Sequence, residues 1–367
     1  MTCTPKHHLP YTRTAPIALL LAAVFVFHGC RQRPSYPTSG TEESGEGFAI
    51  DVLNGYTPVK DQGRSPICWA YAMLAAIETD HIMRGDSVHL SVEYVAHNVL
   101  LDNYRRYVLT AGRTPFTMRG TAQRLINSIE RDGAVCHDAY HGMADADLRT
   151  LANKVKRVAR KAVNTRAGLQ RFDPQAADVI HETLGTPPQT VYLYSARYTP
   201  QEFARSVCAP GEYIALTSFT HHPFHTDIDL EVPDNIEHSL FRNLPIDSLM
   251  STIEKAVRQG RGVCWEGDTS ETGFSFTRGT ARLDMPSSAV TQAARQTAFE
   301  RYLTTDDHCM AIVGLAHDCH GHQYFIMKNS WGTNNPYHGL MYVSADYVRM
   351  KTITVFLPRE VMGEKAL

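Results

Sequence analysis

Hydrophobic and polar positions divide the chain into four textures. The first, Ala15 to Phe27 (APIALLLAAVFVF), is thirteen residues without a polar break. It is followed from Arg31 to Gly47 by a tract of Pro, Gly, Ser and Glu with the composition of a flexible tether. The third texture opens at Ser65 and Pro66 and continues as CWAYAMLAAIETDHIM. A capping hydroxyl and a proline at the first helical position predict a helix start there, with Cys68 in the first turn. Leu125, Ile126 and Ile129 before Gly133, then Leu148, Leu151, Val155, Val158 and Ala162, keep helical spacing and predict helix between about Thr121 and Val163. In the last third the texture changes to short β-rich runs, Met310 to Val313, Tyr324 to Met327 and Thr352 to Phe356, separated by Gly- and Asn-containing turns. Helices first and strands afterwards predict an α+β architecture with segregated layers. No internal repeat is visible.

Two features on this pattern are assigned no function. Lys154, Lys156, Arg157, Arg160 and Lys161 flank the second helical stripe and read as a solvated face. The RGDS at Arg84 to Ser87 follows a helix and reads as its terminating turn.

The apolar run near the start is too short to span a bilayer but fits the core of a secretory signal preceded by Lys6 and Arg13. Gly29 directly before Cys30 resembles a bacterial lipobox. That predicts a signal at 1–29, lipidation of Cys30, a tether over 30–47, and an exported protein anchored to the cell envelope by an N-terminal lipid. A plain cleaved signal and an uncleaved anchor are the alternatives. With 367 residues, 43% hydrophobic and 20% charged, the remainder can bury a large core. A net charge of −2 gives no general attraction to nucleic acid. Cys68, Cys136, Cys208, Cys264, Cys309 and Cys319 form no CxxC pair and read as single, mostly buried thiols rather than a disulfide framework.

A thiol at a helix N-terminus is favoured as thiolate by the unpaired backbone N–H groups around it. A nucleophilic cysteine also needs a base, and the base needs a third group to hold its tautomer. TTDDHCMAIVGL places His308 at the start of a strand, and YFIMKNSWG places Asn329 at the end of the next, as if on adjacent antiparallel strands.

Gln62, CWAYA at Cys68, DHCMAIVG at His308 and NSWG at Asn329, in this order, resemble the papain-like cysteine peptidases. The resemblance implies a fold with a helical half carrying the nucleophile and an antiparallel sheet half carrying His and Asn. It also implies roles: Cys68 attacks, His308 moves the proton, Asn329 orients His308, Gln62 helps bind the oxyanion, and Trp331 shields the Asn–His hydrogen bond. Ser65 stands where papain itself has a disulfide cysteine, and the 37 residues between Cys30 and Cys68 are too few for an inhibitory propeptide. The separation of Cys68 and His308, 240 positions, exceeds the roughly 130 to 150 of papain-type enzymes. Together with RQGRGVCWEGDTS and the segment after Lys328, this resembles the bleomycin hydrolase or aminopeptidase C branch, with a helical insertion at about 120–245 in a peptidase domain of 48–367. The short tail LPREVMGEKAL lacks most of the arm that imposes aminopeptidase action in that branch, so exo- and endopeptidase action both stay open.

A peptide or protein substrate is the expected partner, without nucleic acid, cofactor or metal, and with the oligomeric state undetermined. His221, His222 and His225, and the HDCHGH at His317 to His322, are set aside as metal ligands, the second because a polar turn belongs between the two strands. A non-catalytic binding protein of the same fold and a thiol acyltransferase are the rival readings.

Overall fold

The structure is a computed structural model that describes residues 47–363 apart from 144, 145 and 194. The predicted signal, all of the predicted tether except Gly47, Cys30 included, and the last four residues lie outside the described residues. Among those described, no helix is long and apolar enough to cross a membrane.

The first half is helical. After a short strand β1 (Ala49–Leu53) come α1 (Cys68–Arg84), α2 (Val92–Leu109), α3 (Ala122–Asp132), α4 (Leu148–Thr165) and α5 (Gly168–Leu184). A two-stranded hairpin, β2 (Val191–Leu193) and β3 (Ala196–Tyr198), precedes α6 (Pro200–Val207). The stripes seen in the sequence are the packed faces: Leu125, Ile126 and Ile129 of α3 are buried, as are Leu148, Leu151, Val155 and Ala162 of α4.

The second half is sheet. Its strands are β4 (Tyr213–Thr217), β5 (Asp227–Asp229), β6 (Leu240–Asn243), β7 (Val263–Gly267), β8 (Phe274–Ser275), β9 (Thr280–Ala281), β10 (His308–His317), β11 (Gln323–Lys328), β12 (Leu340–Ser344) and β13 (Thr352–Pro358). Three helices accompany them: α7 (Ile246–Arg258), α8 (Gln292–Glu300) and α9 (Ala345–Lys351). The order is β5-β6-β4-β13-β7-β10-β11-β12-β9-β8, with β1 added beside β10, and only β4/β6 and β9/β12 pair in parallel. Layers are segregated as expected. The helical part predicted to reach about residue 245 ends at Val207, however, because β4 pairs with β13 inside the main sheet.

Strand β10 is covered on both faces, which is why HCMAIVGLA reads as a continuous apolar run rather than an alternating one. Met310 and Ile312 pack with Leu249 and Ile253 of α7, whereas Ala311 and Val313 lie in a cluster with Ala75 of α1. Helix α1 is buried nearly all round and is fixed by polar anchors at its far end. Asp80 accepts from the Gly262 N–H at 2.7 Å and the Tyr213 hydroxyl at 2.5 Å, and Glu78 accepts from the Leu90 N–H at 2.7 Å. A Cβ at Gly262 would come within 2.4 Å of the Ala76 carbonyl oxygen, so only glycine lets β7 approach the helix this closely. The RGDS is the predicted turn: Gly85, left-handed at φ 94°, caps α1.

Candidate active site

The segment before α1 is tied to the segment after β11. Asp61 bridges Trp331, the Gln62 N–H donates to the Ser330 carbonyl at 2.8 Å, and the Gly332 N–H donates to the Lys60 carbonyl at 3.1 Å. These bonds bring the glutamine loop of the helical half against the asparagine loop of the sheet half. The Gln62 amide is itself held: Nε2 donates to the Ser65 carbonyl at 2.9 Å and Oε1 accepts from the Ser330 hydroxyl at 2.6 Å. An amide nitrogen carries two hydrogens, so one of them is not used by Ser65.

The helix start differs from the sequence expectation. Ser65 is not the cap, because its hydroxyl donates to the Gln62 carbonyl at 2.7 Å and closes the turn that shapes the loop. The residue preceding the helix is Ile67, without a side-chain cap bond, and Cys68 is the first helical residue. Its backbone N–H therefore has no intrahelical acceptor, and the helix end is open to a negative charge.

Cys68, half-buried, meets the first residues of β10. Its thiol is held well below the ordinary range, first by a hydrogen bond from the Cys309 side chain and further by the hydrogen bond and charge of His308; burial acts against them. Cys309 is pushed well up by burial, by its hydrogen bond to Cys68 and by the Glu266 and Cys68 charges, so it keeps its proton and donates it. His308 Nε2 lies 2.8 Å from Asn329 Oδ1, which also accepts the Ser330 N–H at 2.7 Å. That tautomer leaves Nδ1 as the ring nitrogen on the other side of the imidazole. Trp331 covers the histidine with ring centroids 4.4 Å apart, and Phe274 and Phe276 meet its edges at 5.9 and 5.6 Å. Cys68, His308, Asn329, Gln62 and Trp331 thus converge.

Beside the loop before Cys68 lie two open cavities. One of about 490 Å³ is bounded by Gln62, Ser65, Tyr71, Glu93 and Leu184. Another of about 440 Å³ is bounded by Arg64, Pro66, Met118, Arg119 and Lys156. Arg64, in the loop before α1, borders both.

Four charged residues near the thiol were not singled out in the sequence: Arg119, Asp234, Glu266 and Asp306. Two signals were present, the acidic pair directly before His308 and the period-two alternation in VCWEG, which puts Glu266 on the same strand face as Cys264. Of the histidines set aside, His221 and His222 converge on Glu231, at 3.1 and 2.7 Å, while Gln296 donates its amide to His221 Nδ1 at 2.9 Å. A metal on His221 Nε2 would require a proton on Nδ1, facing that donor. His317 bonds Asp51 at 2.8 Å, and Asp318 accepts the His320 and His322 N–H groups, forming the expected polar turn. The six described cysteines are all free, Cys208, Cys264 and Cys309 buried as expected and Cys319 exposed because it lies in that turn.

The chain is similar to known peptidases. Residues 146–367 match the model of the Peptidase C1-like family, a span that contains His308, Asn329 and Trp331 and begins after Cys68 and Gln62. Aminopeptidase W of Lactobacillus delbrueckii subsp. lactis is 25% identical over 211 residues, which cover 52% of this chain and 48% of that protein. The chain therefore spans about half the length of this relative. Among solved structures, PepW from Lactobacillus rhamnosis HN001 superposes with a TM-score of 0.65 at 16% identity, over 85% of this chain and 82% of that one, which establishes a shared fold. With well over half of its residues matched by the family model, the chain belongs to the Peptidase C1-like family of papain-like cysteine peptidases.

Proposed function

We propose that the chain hydrolyses peptide bonds from the N-terminal end through a thioester acyl-enzyme. The observation that carries this reading is the linked set of Cys68 at the first position of α1, its thiol lowered by Cys309 and His308, and His308 Nε2 at 2.8 Å from Asn329 Oδ1. In this reading the Cys68 thiolate adds to the peptide carbonyl carbon. His308, as imidazolium, then gives its proton to the departing amine, and the carbonyl reforms as a thioester. Water, deprotonated by the same imidazole, attacks the thioester and returns the thiolate. Oxyanion charge is met by the Cys68 N–H and the spare Gln62 N–H, a pair whose individual members are typically worth about 3 kcal/mol. Asn329 holds the imidazole and Trp331 keeps water off their hydrogen bond. The aminopeptidase direction draws on the name of the Lactobacillus relative, and internal cleavage is the competing outcome.

The test is mass spectrometry of a mixed peptide library incubated with reduced protein and with Cys68→Ala. Loss of single N-terminal residues by the wild type alone is expected. Internal cuts would replace the aminopeptidase reading by an endopeptidase, and an untouched library in both samples would sink peptidase action.

Export with a lipid on Cys30 belongs to the same proposal and rests on the apolar run Ala15 to Phe27 followed closely by Gly29-Cys30. Metabolic labelling with a fatty acid should mark the protein and spare Cys30→Ser; equal labelling of neither would count against it.

A further inference from the structure

Three carboxylates from three separate elements meet beside the nucleophile. Asp234 comes from the loop between β5 and β6, Glu266 from β7 and Asp306 from the segment before β10, each with one oxygen within 4.8 Å of the others. Glu266 is directly opposite Cys309 in the β7/β10 register. Side chains so paired have Cβ atoms about 5 Å apart on one face of the sheet. It is the face turned toward the helical half, because Cys264 and Cys309 belong to the same apolar cluster as Trp69 and Met118. Since Cys309 touches Cys68, the cluster lies one side chain away from the reacting sulfur.

The cluster is short of positive charge. Arg119 reaches it from the rim, with Nε 2.6 Å from Asp234 Oδ1 and Nη2 3.9 Å from Asp306 Oδ1, and its side chain is 52% exposed. Its backbone is fixed: Arg124 donates to the Thr117 and Arg119 carbonyls, and Asn103 to that of Thr117. Asp306 Oδ2 also accepts the Asp234 N–H at 3.0 Å. Glu266 is left over: it is 1% exposed and its Oε2 has no hydrogen-bond partner. Burying a carboxyl oxygen without a donor is costly, and the usual remedy is a cation or a proton. Arg119 also lines the 440 Å³ cavity beside Pro66, so the rim of the cluster borders open space next to the loop before Cys68.

We propose that Glu266, Asp306 and Asp234 form a cation-reading subsite of the peptide cleft, which takes an ammonium or guanidinium group of the substrate. The group is either the free α-amine of the peptide or the side chain of a lysine or arginine. The proposal rests on the peptidase reading for its substrate class. A guest cation supplies the donors that Glu266 lacks and joins or displaces the exposed Arg119 guanidinium, the cation that offsets the Asp306, Asp234 and Cys68 charges acting most strongly on Glu266. Without a guest, burial pushes the Glu266 carboxyl well up and Asp234 up to about 6, consistent with a cluster that holds protons until a cation replaces them.

Binding to Cys68→Ala, which needs no turnover, separates this proposal from the peptidase reading. Titration calorimetry would compare hexapeptides that differ only in lysine against norleucine at each position, or in a free against an acetylated N-terminus. At least ten-fold tighter binding of one cationic member is expected, with the ratio falling below about three-fold in Glu266→Gln or Asp306→Asn. Equal or undetectable binding of both members, or a ratio untouched by either substitution, would overturn the proposal. A preference abolished by chelator and restored by calcium would also overturn it, by assigning the carboxylates to a metal. Dependence on acetylation identifies the α-amine as the guest, and dependence on norleucine identifies a side chain. Cation-selective binding in a wild type that cleaves nothing would sink the peptidase reading alone.

Discussion

Asp306 and Asp307 are neighbours in sequence and lie in opposite surroundings. Asp307 turns to a network in which the buried Lys351 ammonium meets Asp268 at 3.4 Å, contacts Glu271 and donates to the Leu303 carbonyl at 2.5 Å. Burial works against the Asp268 charge, but hydrogen bonds from Ser270 and Asp307 and the Lys351 charge hold its carboxyl below the usual range. Asp307, pushed up by burial and then by Asp268, keeps the proton. Asp306 turns the other way, to Glu266 and Asp234, where the nearest cation is a half-exposed arginine and one buried oxygen has no partner. The first network is complete in itself and ties β13 and α9 to the entrance of β10. The second becomes complete only with something added, and it is the one that faces the thiol.

Breaking the complete network should have the larger effect on stability. Lys351→Met strands Asp268 without its cation in the interior, and removal of one partner of a buried pair typically costs about 3–5 kcal/mol. Urea unfolding would show this as a lower midpoint at unchanged slope; an unchanged midpoint would mean that Lys351 is dispensable.

The incomplete network should respond to pH with the opposite sign. Glu266 has a folded pKa well above its unfolded value of about 4.3, so the folded state binds more protons than the unfolded one above that pH. Its contribution to stability therefore falls as pH rises from about 4.3. Asp268, with a depressed folded pKa, contributes stability above about 3.9 that is lost on acidification below it. Unfolding midpoints of Glu266→Gln and wild type should diverge steadily in favour of the variant between pH 4 and pH 8, whatever their offset at pH 4. Parallel curves would show that Glu266 is not buried as an unpaired acid. The smallest effect is expected from Cys309→Ala, which removes the leading hydrogen bond to the Cys68 thiolate and should move the acid limb of Cys68 alkylation to higher pH without abolishing it.

The difference between the two clusters also marks the limit of what could be read from the chain. The candidate site's Cys68, His308 and Asn329 were legible because each is announced locally: Cys68 by the helix that follows it, and His308 and Asn329 by strands whose apolar runs are unmistakable. The α+β layering was legible for the same reason. The cap at Ser65 was misread because a serine before a proline fits both a helix start and a turn, and only the Gln62 carbonyl, three residues back, decides between them. The strands from Tyr213 to Asn243 were missed because their partners, β13 and one another, are short or distant in sequence. Glu266 escaped notice because its meaning depends on a register across 43 residues of chain, opposite Cys309.

The most direct test of the central claim is the pH dependence of Cys68 alkylation by iodoacetamide, followed by mass spectrometry of its peptide with exposed Cys319 as internal reference. A Cys68 rate that stays high far below pH 8, and that is lost in His308→Ala, is the predicted result. A Cys68 profile with its inflection near the ordinary thiol value of about 8.5 would contradict the account.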